Sequence, residues 1–325
     1  MTGVQHLSVA PDETGIRLDR WFRRHFPALP HGRLSRLLRK GEIRLDGKRA
    51  KTSDRLATGM VVRVPPLGEP ATAATRPQRP AVSDEDAAFM RGLILRQDDH
   101  VIALDKPPGL PTQGGPGITR HLDGLLDALA RDGERPRLVH RLDKDTSGVL
   151  LLGRTARSAA ALAAAFRSRE AEKVYWALVR GAPKPPQGRI DLPLNKLPHG
   201  ASEKVLVDEA GKPAQTYYAV IDCAADKASW VALMPRTGRT HQLRVHMAAI
   251  GHPIVGDGKY GGAEAFLSGG VSRKLHLHAR HIALPHPGGG ALSVTAPLPA
   301  HMTASWAFFG FQEADGDGAF AELEL

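Results

Sequence analysis

Leu138-Val-His-Arg-Leu-Asp-Lys-Asp-Thr-Ser-Gly-Val-Leu-Leu-Leu152 drives a cluster of charged side chains straight into an apolar run. Val149 to Leu152 read as a fully buried strand, short, apolar and entered through turn residues. His140, Arg141, Asp143, Lys144 and Asp145 crowd its N-terminal end, ahead of Thr146, Ser147 and Gly148. A carboxylate that close to a core strand is paired, solvated in a cleft, or put to chemical use. A turn with satisfied side chains explains many such clusters, and composition does not choose among these readings.

The surrounding chain narrows the choice. Its 325 residues suffice for one large domain or two ordinary ones. No apolar run reaches membrane-spanning length, and residues 1–10 lack the basic and apolar regions of a secretory leader, so a cytoplasmic location is expected. One cysteine, Cys223, excludes an internal disulfide framework and fits a reducing cytosol; a small packing role is expected of it. Net charge is +10, and residues 16–65 carry 14 Lys and Arg against 4 Asp and Glu. The other 275 residues therefore hold 30 of each, and the whole positive excess belongs to one N-terminal module. A basic excess confined to one small unit is the footprint of a polyanion-binding surface.

Within that module, Leu18, Trp21, Phe22 and Phe26 fall at helical spacing, and a second helix buries Leu34, Leu37 and Leu38 until Gly41 ends it. Ile43 to Lys51 turn back at Asp46-Gly47 as a small ribbon, and Met60 to Val64 form a last strand. Leu18-Asp19, Ser35-Arg36-Leu37 and Gly41-x-Ile43-x-Leu45-Asp46-Gly47 together resemble the S4-type RNA-binding module over residues 16–65. Arg33, Arg36, Arg39, Lys40, Lys48 and Arg49 are its expected phosphate contacts, which position RNA without reading sequence. Residues 66–90, rich in proline, alanine and threonine, are expected to be a semi-rigid linker.

Two further clusters match the opening one. Glu172-Lys173-Val174-Tyr175 starts an alternating strand that runs to Val179, and an alanine-rich helix capped by Thr155 precedes it. Pro235-Arg-Thr-Gly-Arg-Thr-His-Gln-Leu-Arg-Val-His246 turns at Thr237-Gly238 into a helix or strand. There Arg239, His241, Arg244 and His246 carry the polar groups, and Leu243 and Val245 face inward. Pro183 to Ala210 read as a surface insertion over the cleft. The 15 histidines offer no recognisable ligand set, so no metal is expected; no nucleophile elbow and no phosphate-cradling glycine loop is present.

His-Arg-Leu-Asp-x-x-Thr-Ser-Gly, then Glu-Lys-x-Tyr, then Thr-Gly-Arg-Thr-His-Gln-Leu-Arg-x-His, in that order, resemble the three motifs of the RluA family of pseudouridine synthases. Lys106-Pro-Pro-Gly109 is similar to a further family element, although Gln113 stands where the family commonly has histidine. The resemblance implies an α+β fold: a mixed, mainly antiparallel sheet with flanking helices and a central cleft over residues 91–310, then a tail over 311–325. It implies isomerisation of uridine in RNA without a cofactor, most readily in large-subunit ribosomal RNA. A transfer-RNA substrate, or a non-catalytic RNA-binding assembly factor on the same fold, stays open. By the same resemblance Asp143 is the catalytic carboxylate, Tyr175 the aromatic that meets the flipped base, and Arg239 the cation that pairs with Asp143. Arg141 is expected two residues ahead of the aspartate on the same strand side, filling the space the base vacates. Leu243, Lys173, His241 and Lys106 are expected to complete the substrate pocket.

Overall fold

The computed structural model describes residues 3–67, 82–115, 117–199 and 202–320, in two compact units that divide after Ala81. The first unit runs β1 (Gln5–Ser8), α1 (Leu18–His25), α2 (His31–Lys40), β2 (Arg44–Leu45), β3 (Lys48–Arg49) and β4 (Val61–Val64). Its sheet order is β1-β4-β2-β3, all antiparallel. Gln5–Ser8 pairs along Val61–Val64, so the unit begins earlier than the expected residue 16. Four residues of mixed polarity gave no strand signal before their partner was known. Leu18, Trp21, Phe22, Leu34 and Leu38 bury together with Ile43, Val62 and Val64, each large side chain contributing roughly 1.5–3 kcal/mol. Gly41 closes α2 in the left-handed conformation, at φ 74°.

Most of the expected linker, residues 68–81, lies outside the described residues. Its last part, however, is α3 (Asp84–Gly92), capped by Ser83 Oγ accepting from Asp86 N–H and counted in the second unit. That unit continues through β5 (Ile94–Gln97), β6 (Val101–Lys106), α4 (Leu122–Leu125), β7 (Arg137–Leu138), β8 (Ser147–Gly153), α5 (Ala156–Ser168) and β9 (Glu172–Arg180). After these come β10 (Gln187–Asp191), β11 (Leu194–His199), β12 (Ser202–Val207), β13 (Gln215–Ala224) and β14 (Ala228–Pro235). The last elements are α6 (Gln242–Ala249), β15 (Leu277–Pro285), β16 (Ala291–Thr295) and α7 (Ala300–Phe309).

A ten-stranded sheet in the order β10-β13-β14-β9-β15-β8-β6-β5 carries the unit, with β16 added to β15 and β7 to β8. Among its described pairings β8 with β15 is parallel and the rest are antiparallel. The alternation of apolar side chains sorts the helices to faces. Ile102, Leu104, Leu150 and Leu152 pack with α3 and α4, while Val101, Ala103, Val149 and Leu151 pack with α5. Farther along, Val231 and Leu233 pack with α6, and Trp176, Trp230 and Met234 pack with α7.

Three expectations change here. The Pro183–Ala210 segment, expected as a surface insertion over the cleft, is in part sheet: β10 extends the main sheet, and the β11-β12 ribbon packs Val205 against Val245 of α6. The tail expected from residue 311 contributes Phe311 and Phe320 to the tryptophan core, and Gly316 lies against Trp176 and Trp230. Cys223 is exposed on β13.

Candidate active site

The charged cluster ahead of β8 is a loop, not a strand, and several of its backbone groups are tied down. His140 Nε2 accepts the Leu151 N–H at 2.8 Å, and its ring stacks toward Phe166 with centroids 4.5 Å apart. Burial, helped by the Lys173 charge, pushes this imidazole down to about 3, so it stays a neutral acceptor. Thr112 Oγ1 donates to Leu142 O at 2.7 Å and accepts from Leu142 N–H at 3.3 Å. Thr146 N–H donates to Asp143 O, and Gly109 N–H donates to Lys144 O. The backbone around Asp143 is therefore set before any substrate arrives, and its carboxylate reaches the cavity with the side chain 20% exposed. Arg141 lines the same cavity from this loop, so loop geometry and not strand alternation brings it beside Asp143.

Lys106 corrects an expectation. Its side chain is fully buried, and Nζ donates to the carbonyls of Pro107, Leu110 and Lys144 at 2.8, 2.9 and 3.0 Å. Three ammonium protons meet three carbonyls, which leaves none for a substrate. Burial drives Lys106 down to about 8 against the opposing pull of Asp145, Asp143 and Asp105. The residue fastens the Pro107–Leu110 loop to the Asp143 loop.

Sheet register brings Tyr175 in. Lys106 pairs with Gly148, Gly148 with Ala279, and Ala279 with Tyr175, one row across β6, β8, β15 and β9. Gly148 sits at φ 106°, and a Cβ there would lie 2.2 Å from Ala279 O. The parallel junction of the two halves of the sheet requires glycine at this point. Burial, and next the Asp143 charge, raise the Tyr175 phenol, which stays protonated.

Arg141, Asp143, Lys173, Tyr175, Arg239, His241 and Leu243 all line one cavity of about 590 Å³. Arg239 does not pair with Asp143: its side chain is exposed and Nε donates to Pro213 O at 3.2 Å. The nearest cation-forming group recorded at Asp143 is His241, with Nε2 3.8 Å from Oδ2. The helix after the turn also differs from expectation. Every residue from Gln242 to Met247 of α6 is buried, polar ones included. Gln242 satisfies its whole amide, accepting from Thr237 Oγ1 and Arg239 N–H and donating to Gln215 O and Thr216 Oγ1. His246 bonds to Thr216 Oγ1 and Leu192 O.

Arg244 is the residue the motif reading undervalued. It grips Asp257 with two bonds of 2.7 Å, and the Asp143 charge also acts on it. Against burial, the bonds and charge of Asp257 hold this guanidinium protonated. Arg167, Arg169 and Arg236 add positive charge to the cavity wall. No sequence signal separated them from ordinary surface arginines.

In the first unit Arg33, Arg36, Arg39, Lys40, Lys48 and Arg49 are all exposed. Among the described residues no three His, Cys, Asp or Glu side chains are gathered as for a metal ion. No described helix is long and apolar enough to cross a membrane.

Residues 100–249 match the family model described as RNA pseudouridylate synthase. The chain is 36% identical over 304 residues to ribosomal large subunit pseudouridine synthase C of Vibrio cholerae, covering 93% of this chain and 95% of that protein. It is 36% identical over 303 residues to the Escherichia coli protein of the same name, covering 91% and 93%. Among solved structures, human RNA pseudouridylate synthase domain containing 4 is 29% identical with a TM-score of 0.60, covering 70% of this chain and 98% of that one.

Proposed function

The chain belongs to the RNA pseudouridine synthase family, an isomerase family, and from that membership we propose that it converts specific uridines of large-subunit ribosomal RNA to pseudouridine in the cytoplasm, with Asp143 as its catalytic carboxylate. The observation that carries this reading is the Asp143 loop, tied at its peptides and aimed beside Tyr175 into a cavity walled by arginines.

The reaction breaks the bond from ribose C1′ to N1, turns the base, and joins C1′ to C5; the C5 proton is lost and N1 gains one. Atoms balance without an oxidant or a hydrolytic water, so the reading invokes no cofactor. The base must leave its stack to reach a carboxylate in a pocket. Arg141 fills the space it leaves, and Leu243 and Lys173 wall the pocket. Asp143 serves as nucleophile or assists through proton abstraction. Tyr175 stacks on the base, and its phenol, protonated at rest, relays the proton displaced from C5 by passing its own proton to the Asp143 carboxylate as it takes the new one. Arg244, fixed by Asp257, supplies the buried positive charge that was expected of Arg239. The exposed cations of the first unit, read as an S4-type module, hold RNA phosphates without reading sequence.

The ribosomal assignment draws on the relatives named for that substrate and aligned along nearly their whole length. Pseudouridine mapping of large-subunit RNA from cells lacking the protein tests it, complemented by wild type or by Asp143→Asn. Sites lost in the deletion and restored by wild type alone support enzyme and substrate together. Sites that persist in the deletion overturn the ribosomal substrate and move the test to transfer RNA. Restoration by Asp143→Asn overturns the catalytic role and favours an assembly factor.

A further inference from the structure

We propose that Tyr260 is a positioning residue of this site: its hydroxyl fixes the tautomer of His241, so that the imidazole turns an N–H, and not a lone pair, toward the Asp143 carboxylate. The inference rests on Asp143 being the catalytic carboxylate.

Tyr260 stands in the loop before β15, and the three motifs do not include it. Its oxygen lies 2.6 Å from His241 Nδ1, and the Val205 N–H of β12 points to the same oxygen at 3.4 Å. The two rings meet edge to face, 5.5 Å between centroids at 76°. His241 Nε2 lies 3.8 Å from Asp143 Oδ2. Asp143, His241 and Tyr260 thus form a line from cavity to ribbon.

Proton counting assigns the line. A phenol has one proton to give, and its oxygen already accepts from Val205. Donating that proton to Nδ1 satisfies both groups and places the imidazole proton on Nε2, facing Asp143. The opposite tautomer sets an Nε2 lone pair against a carboxylate oxygen and leaves the phenol proton needing another acceptor. Burial favours the neutral form of both rings, raising the Tyr260 phenol and lowering the His241 imidazole.

The surroundings hold this geometry. His241 caps α6 in the left-handed conformation, φ 53° and ψ 19°, an uncommon state for a non-glycine residue that its neighbours must maintain. Asp257 accepts the N–H groups of Lys259 and Tyr260, both at 3.2 Å, while clamping Arg244. Arg244 in turn lies over the Tyr260 ring, 5.0 Å from its centroid. One carboxylate therefore places both Tyr260 and the buried arginine. At 3.8 Å the His241 N–H is outside hydrogen-bond range of Asp143 in the free protein and acts through its dipole.

Tyr260→Phe keeps the ring and removes only the hydroxyl. Two-bond proton–nitrogen NMR spectra of the full chain with nitrogen-15 histidine read the tautomer directly, His241 being assigned by its loss in His241→Gln. Wild type is expected to show the Nε2–H form and Tyr260→Phe to lose it. On the RNA substrate, kcat of Tyr260→Phe is expected to fall about tenfold with KM unchanged. His241→Gln, whose amide can still donate, should keep more activity than His241→Ala. An Nδ1–H tautomer in wild type overturns the proposal, as does a Tyr260→Phe protein with unchanged tautomer and kcat, or one whose loss lies in KM. Wild-type protein inactive on every RNA offered strikes the functional reading instead, and the spectra still decide the Tyr260–His241 bond.

Discussion

In the proposed reaction Asp143 and Tyr175, which line one cavity, divide the chemistry between a charge and a proton carrier, and one substitution separates the two uses of the tyrosine. Tyr175→Phe retains the ring that stacks on a base and removes the group that moves a proton. Single-turnover kinetics should show RNA affinity near wild type and a chemical step slowed about a hundredfold; weakened binding with a normal chemical step would assign Tyr175 to stacking alone. Both residues stand in the motifs, and the fold brings them to one cavity. Arg244 was read as one polar position among several, because spacing cannot tell a solvated guanidinium from one buried against Asp257. The pairing expected of Arg239 failed for the same reason: the motif places two arginines near the aspartate, and only the packing of α6 selects which is buried.

At the scale of elements, the site depends on how the loop before β8 is fastened. Lys106→Met matches the buried length of the side chain and leaves the carbonyls of Pro107, Leu110 and Lys144 without its ammonium. Loss of buried charge-assisted bonds of this kind is expected to cost about 2–3 kcal/mol, visible as a lowered urea midpoint. Turnover should fall with it, although Lys106 touches no substrate. Gly148→Ala attacks the β8–β15 junction. A side chain at φ 106° and 2.2 Å from Ala279 O should cost about 3 kcal/mol from strain and overpacking, and chemical denaturation checks it. The strand after Gly148 was plain from its apolar run. Its parallel partner was not, since β15 lies more than a hundred residues away in sequence.

For the whole molecule, the net positive charge is concentrated in the first unit, and the proposed chemistry belongs to the second. Replacing Arg33, Arg36 and Arg39 together by alanine in the full chain should raise KM for RNA, leave kcat near wild type, and flatten the salt dependence of binding by about one unit of slope per lost phosphate contact. An unchanged salt slope would remove these arginines from the interface. The first unit also has its own acid lability. Glu13 is buried, which by itself would raise its carboxyl. Bonds from His25, Trp21 Nε1 and Ala10 N–H, with the charge of His25, outweigh this and hold it at about 2. Because the folded form binds its proton less readily than the unfolded one, this stabilisation is complete above the ordinary carboxylate range near 4.5 and is lost as pH falls toward 2. Trp21 fluorescence should report an acid transition of this unit in that window. Glu13→Gln should already be less stable at neutral pH and should lose that part of the pH dependence.

The sequence by itself determined the kind of protein: a basic N-terminal module, three ordered motifs, a carboxylate before a buried strand, and an aromatic on another. The module and the strands are local properties of composition and periodicity, and the motifs carry a resemblance to a known family. The tertiary structure alone decided which charged groups inside those motifs are exposed, buried or paired. It made Lys106 a clamp, drew Arg244 and His246 into the core, left Arg239 in solvent, and joined Tyr260 to His241. The physical reason is that a side chain's burial and partners depend on strands and loops distant in sequence. The free energy of a charge, and with it the role the residue can play, follows from those partners.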